Sequence, residues 1–233
     1  VTNAHISASL AGELLVTGTK EIDTCNSSAD TYEDFFVKLN SLGQILWQKS
    51  TNDGCSGHAD MYVLAEGLSN GNYIFAKYVS HHSGYTGALE VMCINPQGGI
   101  VWYKTGSWED VVFYPSDIRE TSPNGDFLLA GRYGVENADE VVLIKFNAQG
   151  NILWQKAYGI PPNPSPYAAP NVFVETTING QISLATYEGK VNLLSPTGNP
   201  VEQYDYADWI ITGMTKASNG DLIFGGMFDT TAT

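Results

Sequence analysis

A stretch of 12 residues recurs along the chain: Lys38-Leu-Asn-Ser-Leu-Gly-Gln-Ile-Leu-Trp-Gln-Lys49 returns as Lys145-Phe-Asn-Ala-Gln-Gly-Asn-Ile-Leu-Trp-Gln-Lys156 and, loosened, as Cys93-Ile-Asn-Pro-Gln-Gly-Gly-Ile-Val-Trp-Tyr-Lys104. Such self-similarity restricts a chain to repeat architectures, in which each unit buries its apolar face against a neighbouring copy. Each copy reads as a β-hairpin. An apolar run precedes Asn-x-x-Gly, which suits a type I turn closed by a glycine in the left-handed conformation, and a run of Ile, Leu and Trp follows. Glycine is demanded there because it alone takes positive φ at little cost. Ile45, Leu46 and Trp47 are adjacent rather than alternating, as are Ile152, Leu153 and Trp154, so both faces of that strand are expected to be covered by protein.

A second marker precedes each hairpin: a Gly-containing turn followed by an apolar strand of small residues. Its glycines, Gly12, Gly71, Gly125, Gly180 and Gly220, are spaced by 59, 54, 55 and 40 residues. The hairpin glycines Gly43, Gly98, Gly150 and Gly198 are spaced by 55, 52 and 48. Two markers in one register define a unit of about fifty residues, which is the length of a propeller blade. The expected fold is therefore all-β, a β-propeller of four-stranded antiparallel blades, with residues 1–233 as a single propeller segment. Blades are expected at about 1–53, 54–108, 109–160 and 161–206, with a half-blade at 207–233. The half-blade reads as part of a longer polypeptide or larger ring, or as an open edge covered by a protein partner; a five-bladed ring short of its last hairpin is the competing reading.

The fourth unit is degenerate. Its turn is Ser195-Pro-Thr-Gly198, and Glu202 stands where the others carry Trp47, Trp102 and Trp154. Ahead of it, Ile160 to Pro170 is proline-rich and reads as a stiff projecting connection.

A net charge of −14 with only 11 basic residues argues against a nucleic-acid partner. No run of about 18 apolar residues is present, so no membrane span is expected. Acidity with abundant Gly, Asn, Ser, Thr and Tyr suits an extracellular surface.

Units of the form Lys-Leu-Asn-x-x-Gly-x-Ile-Leu-Trp-Gln-Lys, followed by an Asn-Gly strand ending in Ala-Gly, resemble the tandem β-propeller repeats of secreted and surface-attached bacterial proteins, including Bacteroidota proteins exported by the type IX system. The resemblance covers Val1 to about Met227. It implies an extracellular or cell-surface location and attachment to something larger, and its motifs are structural rather than catalytic.

In a four-stranded meander the longer connections emerge on one face and both tight turns on the other, so function is expected on the loop face. Cys25 and Cys55 fall there and are candidates for a disulfide, with two unpaired thiols as the alternative; Cys93 reads as a buried free thiol. The same face gathers Asp23, Asp30, Glu33, Asp34, Asp53, Glu109, Asp110, Glu136, Asp139 and Glu140 with the aromatics Tyr85, Trp108, Tyr158 and Tyr167. Aromatic faces stack on sugars, and carboxylates hold Ca²⁺ or hydroxyls, so a glycan-binding surface is one reading and a solvated acidic rim the other. Tyr85, Trp108, Glu109, Asp110, Tyr158 and Tyr167 are the binding-face candidates. Asp23 to Asp30 lacks EF-hand spacing, so no cofactor is expected and Ca²⁺ rests only on a supply of oxygens.

Glu66, Glu120 and Glu175 each stand five residues before a turn glycine, on what is expected to be the innermost strand. Paired carboxylates in a channel are what a glycan hydrolase needs. Repetition in register favours instead a structural acceptor for the turn. His81 and His82 are adjacent, and neighbours on an extended chain point to opposite sides. Neither a nucleophile elbow nor a nucleotide fingerprint occurs. The expected function is a non-enzymatic structural or binding module for adhesion or display, with a channel-centred glycan hydrolase or a lectin-type propeller as alternatives.

Overall fold

The computed structural model describes residues 2–8, 12–22, 31–51, 60–80, 87–107, 112–134, 140–159, 172–206 and 208–228. Among them there is no helix. The first sheet is β1 (Thr2–Ala8), β2 (Leu14–Ile22), β3 (Thr31–Leu39) and β4 (Ile45–Thr51), in that spatial order. The second is β5 (Asp60–Gly67), β6 (Tyr73–Ser80), β7 (Gly87–Ile94) and β8 (Ile100–Ser107). The third is β9 (Val112–Glu120), β10 (Phe127–Gly134), β11 (Glu140–Phe146) and β12 (Ile152–Tyr158), and the fourth is β13 (Val172–Thr176), β14 (Ile182–Thr186), β15 (Lys190–Leu194) and β16 (Pro200–Asp205). β17 (Trp209–Lys216) and β18 (Leu222–Phe228) pair as a two-stranded sheet. Every pairing is antiparallel between consecutive strands. The sheets are the blades of a β-propeller, stacked in chain order.

The recurring hairpin is closed by its asparagine. Asn40 Oδ1 accepts from the N–H groups of Leu42 and Gln44, and Asn95 and Asn147 repeat this with Gln97 and Gly99 and with Gln149 and Asn151. Gly43, Gly98, Gly150 and Gly198 have φ of 79°, 81°, 73° and 77°, and the ladder shifts register beside each turn, as a glycine bulge requires. In the degenerate fourth blade Ser195 Oγ takes the asparagine's place by accepting from the Asn199 N–H.

Contacts between blades run from β1 to β5, β5 to β9, β9 to β13 and β13 to β17, which places the first strand of each blade at the hub and the fourth at the rim. Between blades the cores are continuous. Phe127 and Leu129 of β10 pack toward the second blade with Ile74, Ile118 and Ile144, whereas Leu128 and Ala130 of the same strand pack toward the fourth with Val174 and Leu184. A strand buried on both faces reads as an unbroken apolar run. Each such fully buried side chain contributes about 1.5–3 kcal/mol.

The rim departs from expectation. Ile45 and Leu46 of β4 are 60% and 48% exposed, and Ile152 and Leu153 of β12 are 52% and 51% exposed. The fourth strand is the outer edge of its blade, where successive sheets splay apart like wedges, so its aliphatic side chains fall short and its long tryptophan, lysine and tyrosine side chains reach the next blade. The Trp47 Nε1–H donates to the Pro96 carbonyl and the Trp102 Nε1–H to the Ala148 carbonyl, each at 2.9 Å. Lys49 Nζ donates to the Gly98 carbonyl beside the first of these contacts.

Candidate functional site at the hub

Inner strands bring charged groups from four blades together. Arg119 of β9 stands between three carboxylates: its guanidinium lies 3.1 Å from Asp117 Oδ1, 3.6 Å from Glu66 Oε2 of β5 and 3.6 Å from Glu175 Oε2 of β13. Lys216 of β17 adds a second cation 3.7 Å from Glu175 Oε1, while donating to the Thr176 carbonyl at 2.7 Å.

Asp117 is the structural centre of the group. It is 6% exposed, and its Oδ1 accepts from the Ile118 N–H and its Oδ2 from the Val174 N–H of the next blade, each at 2.9 Å. Burial pushes its carboxyl up to about 6, with Glu175 adding to the push and Arg119 and the two N–H donors opposing it. Burial likewise pushes Glu66 up to about 7; Arg119 opposes this, and Asp117 and Glu175 reinforce it. Burial works to lower the Arg119 pKa, but Asp117, Glu66 and Glu175 outweigh it and raise it. The cluster is thus a hub of protein-held charge in which Glu66 titrates near neutrality.

Of the three repeated glutamates, Glu66 and Glu175 meet at Arg119 and Glu120 does not. Glu120 Oε2 accepts from the Ser69 N–H and Oε1 from the Ser69 hydroxyl, each at 2.8 Å, so it ties the third blade to the β5–β6 turn of the second. Ser7, at the same position in the first blade, accepts from the Gly67 N–H at 3.0 Å. Position in the repeat therefore sets a common task, a tie to the adjoining blade, and the residues that the neighbouring blade presents decide which group is reached.

The expected loop-face set is mostly outside the described residues: Cys25, Cys55, Tyr85, Trp108, Glu109, Asp110 and Tyr167 all lie there, as do His81 and His82. Tyr158, expected on the binding face, is described. It is 9% exposed, and its hydroxyl donates to the Gly198 carbonyl at 2.7 Å, so the ring is packed between blades. Glu33 and Asp34 are paired with Lys20 and Lys77 at 2.8 Å. Cys93 is 1% exposed and free, its thiol pushed up to about 11 by burial. Among the described residues no group of three or more His, Cys, Asp or Glu side chains is arranged to hold a metal ion.

Sequence reasoning missed Asp117, Arg119 and Lys216. A signal for one existed: Arg119 is one of two arginines in the chain and adjoins a repeated glutamate on an inner strand.

The sequence matches no protein-family model and no curated protein. Its structure resembles that of an α-L-arabinofuranosidase of Fusarium graminearum solved with an iminosugar inhibitor, with TM-score 0.64 and 9% identity over 96% of this chain and 70% of that one. It also resembles the C-terminal WD40 domain of Sif2, with TM-score 0.50 and 10% identity over 95% and 66% of the two chains. A third likeness is to the extracellular domain of a hybrid two-component system protein of B. thetaiotaomicron, with TM-score 0.50 and 11% identity over 96% of this chain and 26% of that one. At these identities the comparisons speak to fold alone, and the fold is a β-propeller of four-stranded antiparallel blades.

Proposed function

We propose that this chain is a non-enzymatic display module of a secreted or cell-surface bacterial assembly, a rigid stack of blades that holds its connecting segments in fixed relation for binding a protein or a surface glycan. One observation supports it most: the repeated functional-looking residues face neighbouring blades. Glu120 is engaged by Ser69, Glu66 and Glu175 by Arg119, Trp47 by Pro96 and Trp102 by Ala148. Binding then falls to the connections that carry Tyr85, Trp108, Glu109, Asp110 and Tyr167. The resemblance to tandem propeller repeats of Bacteroidota export cargo supports the extracellular location. A glycan array and a pull-down on a bacterial surface fraction test this reading. Ligand binding that survives Glu66→Gln and is lost in Trp108→Ala supports it; retention of full binding in Trp108→Ala together with Tyr85→Ala and Tyr167→Ala argues against it.

A second reading is favoured by Glu66, whose carboxyl holds its proton to about pH 7 as a general acid must. In that reading the hub hydrolyses a glycosidic bond, with Glu66 as acid and Glu175 as the second carboxylate. Release of reducing sugar from a polysaccharide panel, abolished by Glu66→Gln, would establish it over the display reading.

A further inference from the structure

We propose that the outward face of the first blade is a docking site for one further blade of this repeat type, one whose outer strand carries Trp-x-Lys. Three junctions inside the chain define the seat. At each, the hairpin glycine of one blade lies buried under the tryptophan of the blade before it. A Cβ on Gly98 would lie 3.4 Å from Trp47 Cδ2, on Gly150 2.8 Å from Trp102 Cη2 and on Gly198 2.9 Å from Trp154 Cη2. Beside these contacts the Trp47 and Trp102 indoles donate to the carbonyls of Pro96 and Ala148.

Gly43 has the same turn, the same asparagine closure and a φ of 79°, yet it is exposed and a Cβ there would meet none of the described residues within 4 Å. The sheet behind it is apolar in the same register. Ile6, Leu14, Val16 and Leu39 occupy the positions where Ala65, Tyr73, Phe75 and Ile94 of the second blade are buried against the first. They are contiguous, because Ile6 pairs with Val16 and Leu14 with Leu39. Ile6 is 63% exposed. An apolar face in the register of the second blade's buried one, and a hairpin glycine that no indole of the described residues covers, repeat one side of the interface formed at the three internal junctions.

A second copy of this chain does not fit the seat. Its outer-strand tryptophans Trp47, Trp102 and Trp154 are each already placed against a hairpin of their own chain. The occupant is therefore a separate blade with its own indole and ammonium. This surface lies on the first blade, apart from the edge at β18, and it does not rest on the function proposed above.

A fusion tests the inference: a copy of residues 60–111 placed directly before Thr2 puts its hairpin glycine 55 residues ahead of Gly43, the spacing that separates Gly43 from Gly98. With Ile6→Cys in both proteins, the rate of thiol labelling at that position, read by peptide mass, is expected to fall at least about tenfold in the fusion. Trp102→Ala in the copied blade is expected to restore it. An unchanged rate in the fusion overturns the proposal. So does slow, concentration-dependent labelling in the unfused chain with a dimer in sedimentation, which would make a second copy the occupant. If Ile6→Cys prevents folding, Gly43→Ala serves: a larger loss of thermal midpoint in the fusion than in the unfused chain supports the seat, and equal losses overturn it.

Discussion

The Trp102 Nε1–H donates to the Ala148 carbonyl at 2.9 Å, and the same indole lies flat over Gly150 two residues on. A residue from one repeat and a glycine from the next are thereby a single structural unit. Removing the hydrogen bond alone, by Trp102→Phe, keeps the ring near Phe127 but leaves the Ala148 carbonyl without that donor; a loss of about 1 kcal/mol is expected in urea unfolding. A loss near zero would mean that water replaces the indole.

Gly150→Ala and Gly43→Ala separate backbone from packing. Both force a side chain onto positive φ, at about 1–2 kcal/mol. Only Gly150 also meets the Trp102 ring, at 2.8 Å, whereas Gly43 meets none of the described residues within 4 Å. Gly150→Ala is therefore expected to destabilise by about 1–3 kcal/mol more. Matching denaturation midpoints for the two variants would count against the indole contact.

The hub predicts a pH dependence of stability. Glu66 is raised to about 7 from 4.5 and Asp117 to about 6 from 3.8, so across those intervals the folded state binds more protons than the unfolded one. Stability is accordingly highest below the unfolded values and declines as pH rises through about 6 to 7. Chemical denaturation at pH 5 and pH 8 is expected to differ by about 1–3 kcal/mol in favour of pH 5, and Glu66→Gln is expected to remove most of the difference. A rise in stability toward pH 8 would contradict the assignment.

Asp117→Asn keeps the size of the side chain but converts one acceptor into a donor that faces the N–H of Ile118 or Val174. A loss of about 2–3 kcal/mol is expected, the cost of an unpaired buried group. The measurement is equilibrium unfolding, with faster amide exchange at Val174 as a second readout.

Glu120 and Ser69 share two hydrogen bonds across two blades, and the Ser69 hydroxyl also lies 3.2 Å from the Pro123 carbonyl. A double-mutant cycle of Glu120→Gln and Ser69→Ala is expected to give a coupling energy of about 0.5–1.5 kcal/mol. Additive effects would assign Glu120 to solvent.

Much of the fold was legible because its markers are local. The Asn-x-x-Gly turn depends on an asparagine that closes its own backbone and a glycine that takes positive φ, and both are decided within a few residues of chain. Spacing between such turns then counted the strands and blades. The rim was misread for a reason equally physical: adjacency of Ile45, Leu46 and Trp47 signals a strand buried on both faces, but the sequence carries no record of how far neighbouring sheets splay. The site was less legible. Glu66 and Glu175 stood out by register, whereas Asp117 and Lys216 have no counterpart in other repeats and become significant only where four inner strands converge.

The amino-acid sequence by itself therefore determined the repeat, the turn chemistry, the meander and the order of the blades, since each follows from backbone preferences and apolar patterning over short distances. Tertiary structure alone decided which tryptophan covers which glycine, that Tyr158 is packed between blades, and that Arg119 gathers carboxylates from three of them. Those relationships join residues some 40 to 60 positions apart, and they exist only because stacking aligns equivalent positions of successive units. Charge at the hub is a product of that alignment.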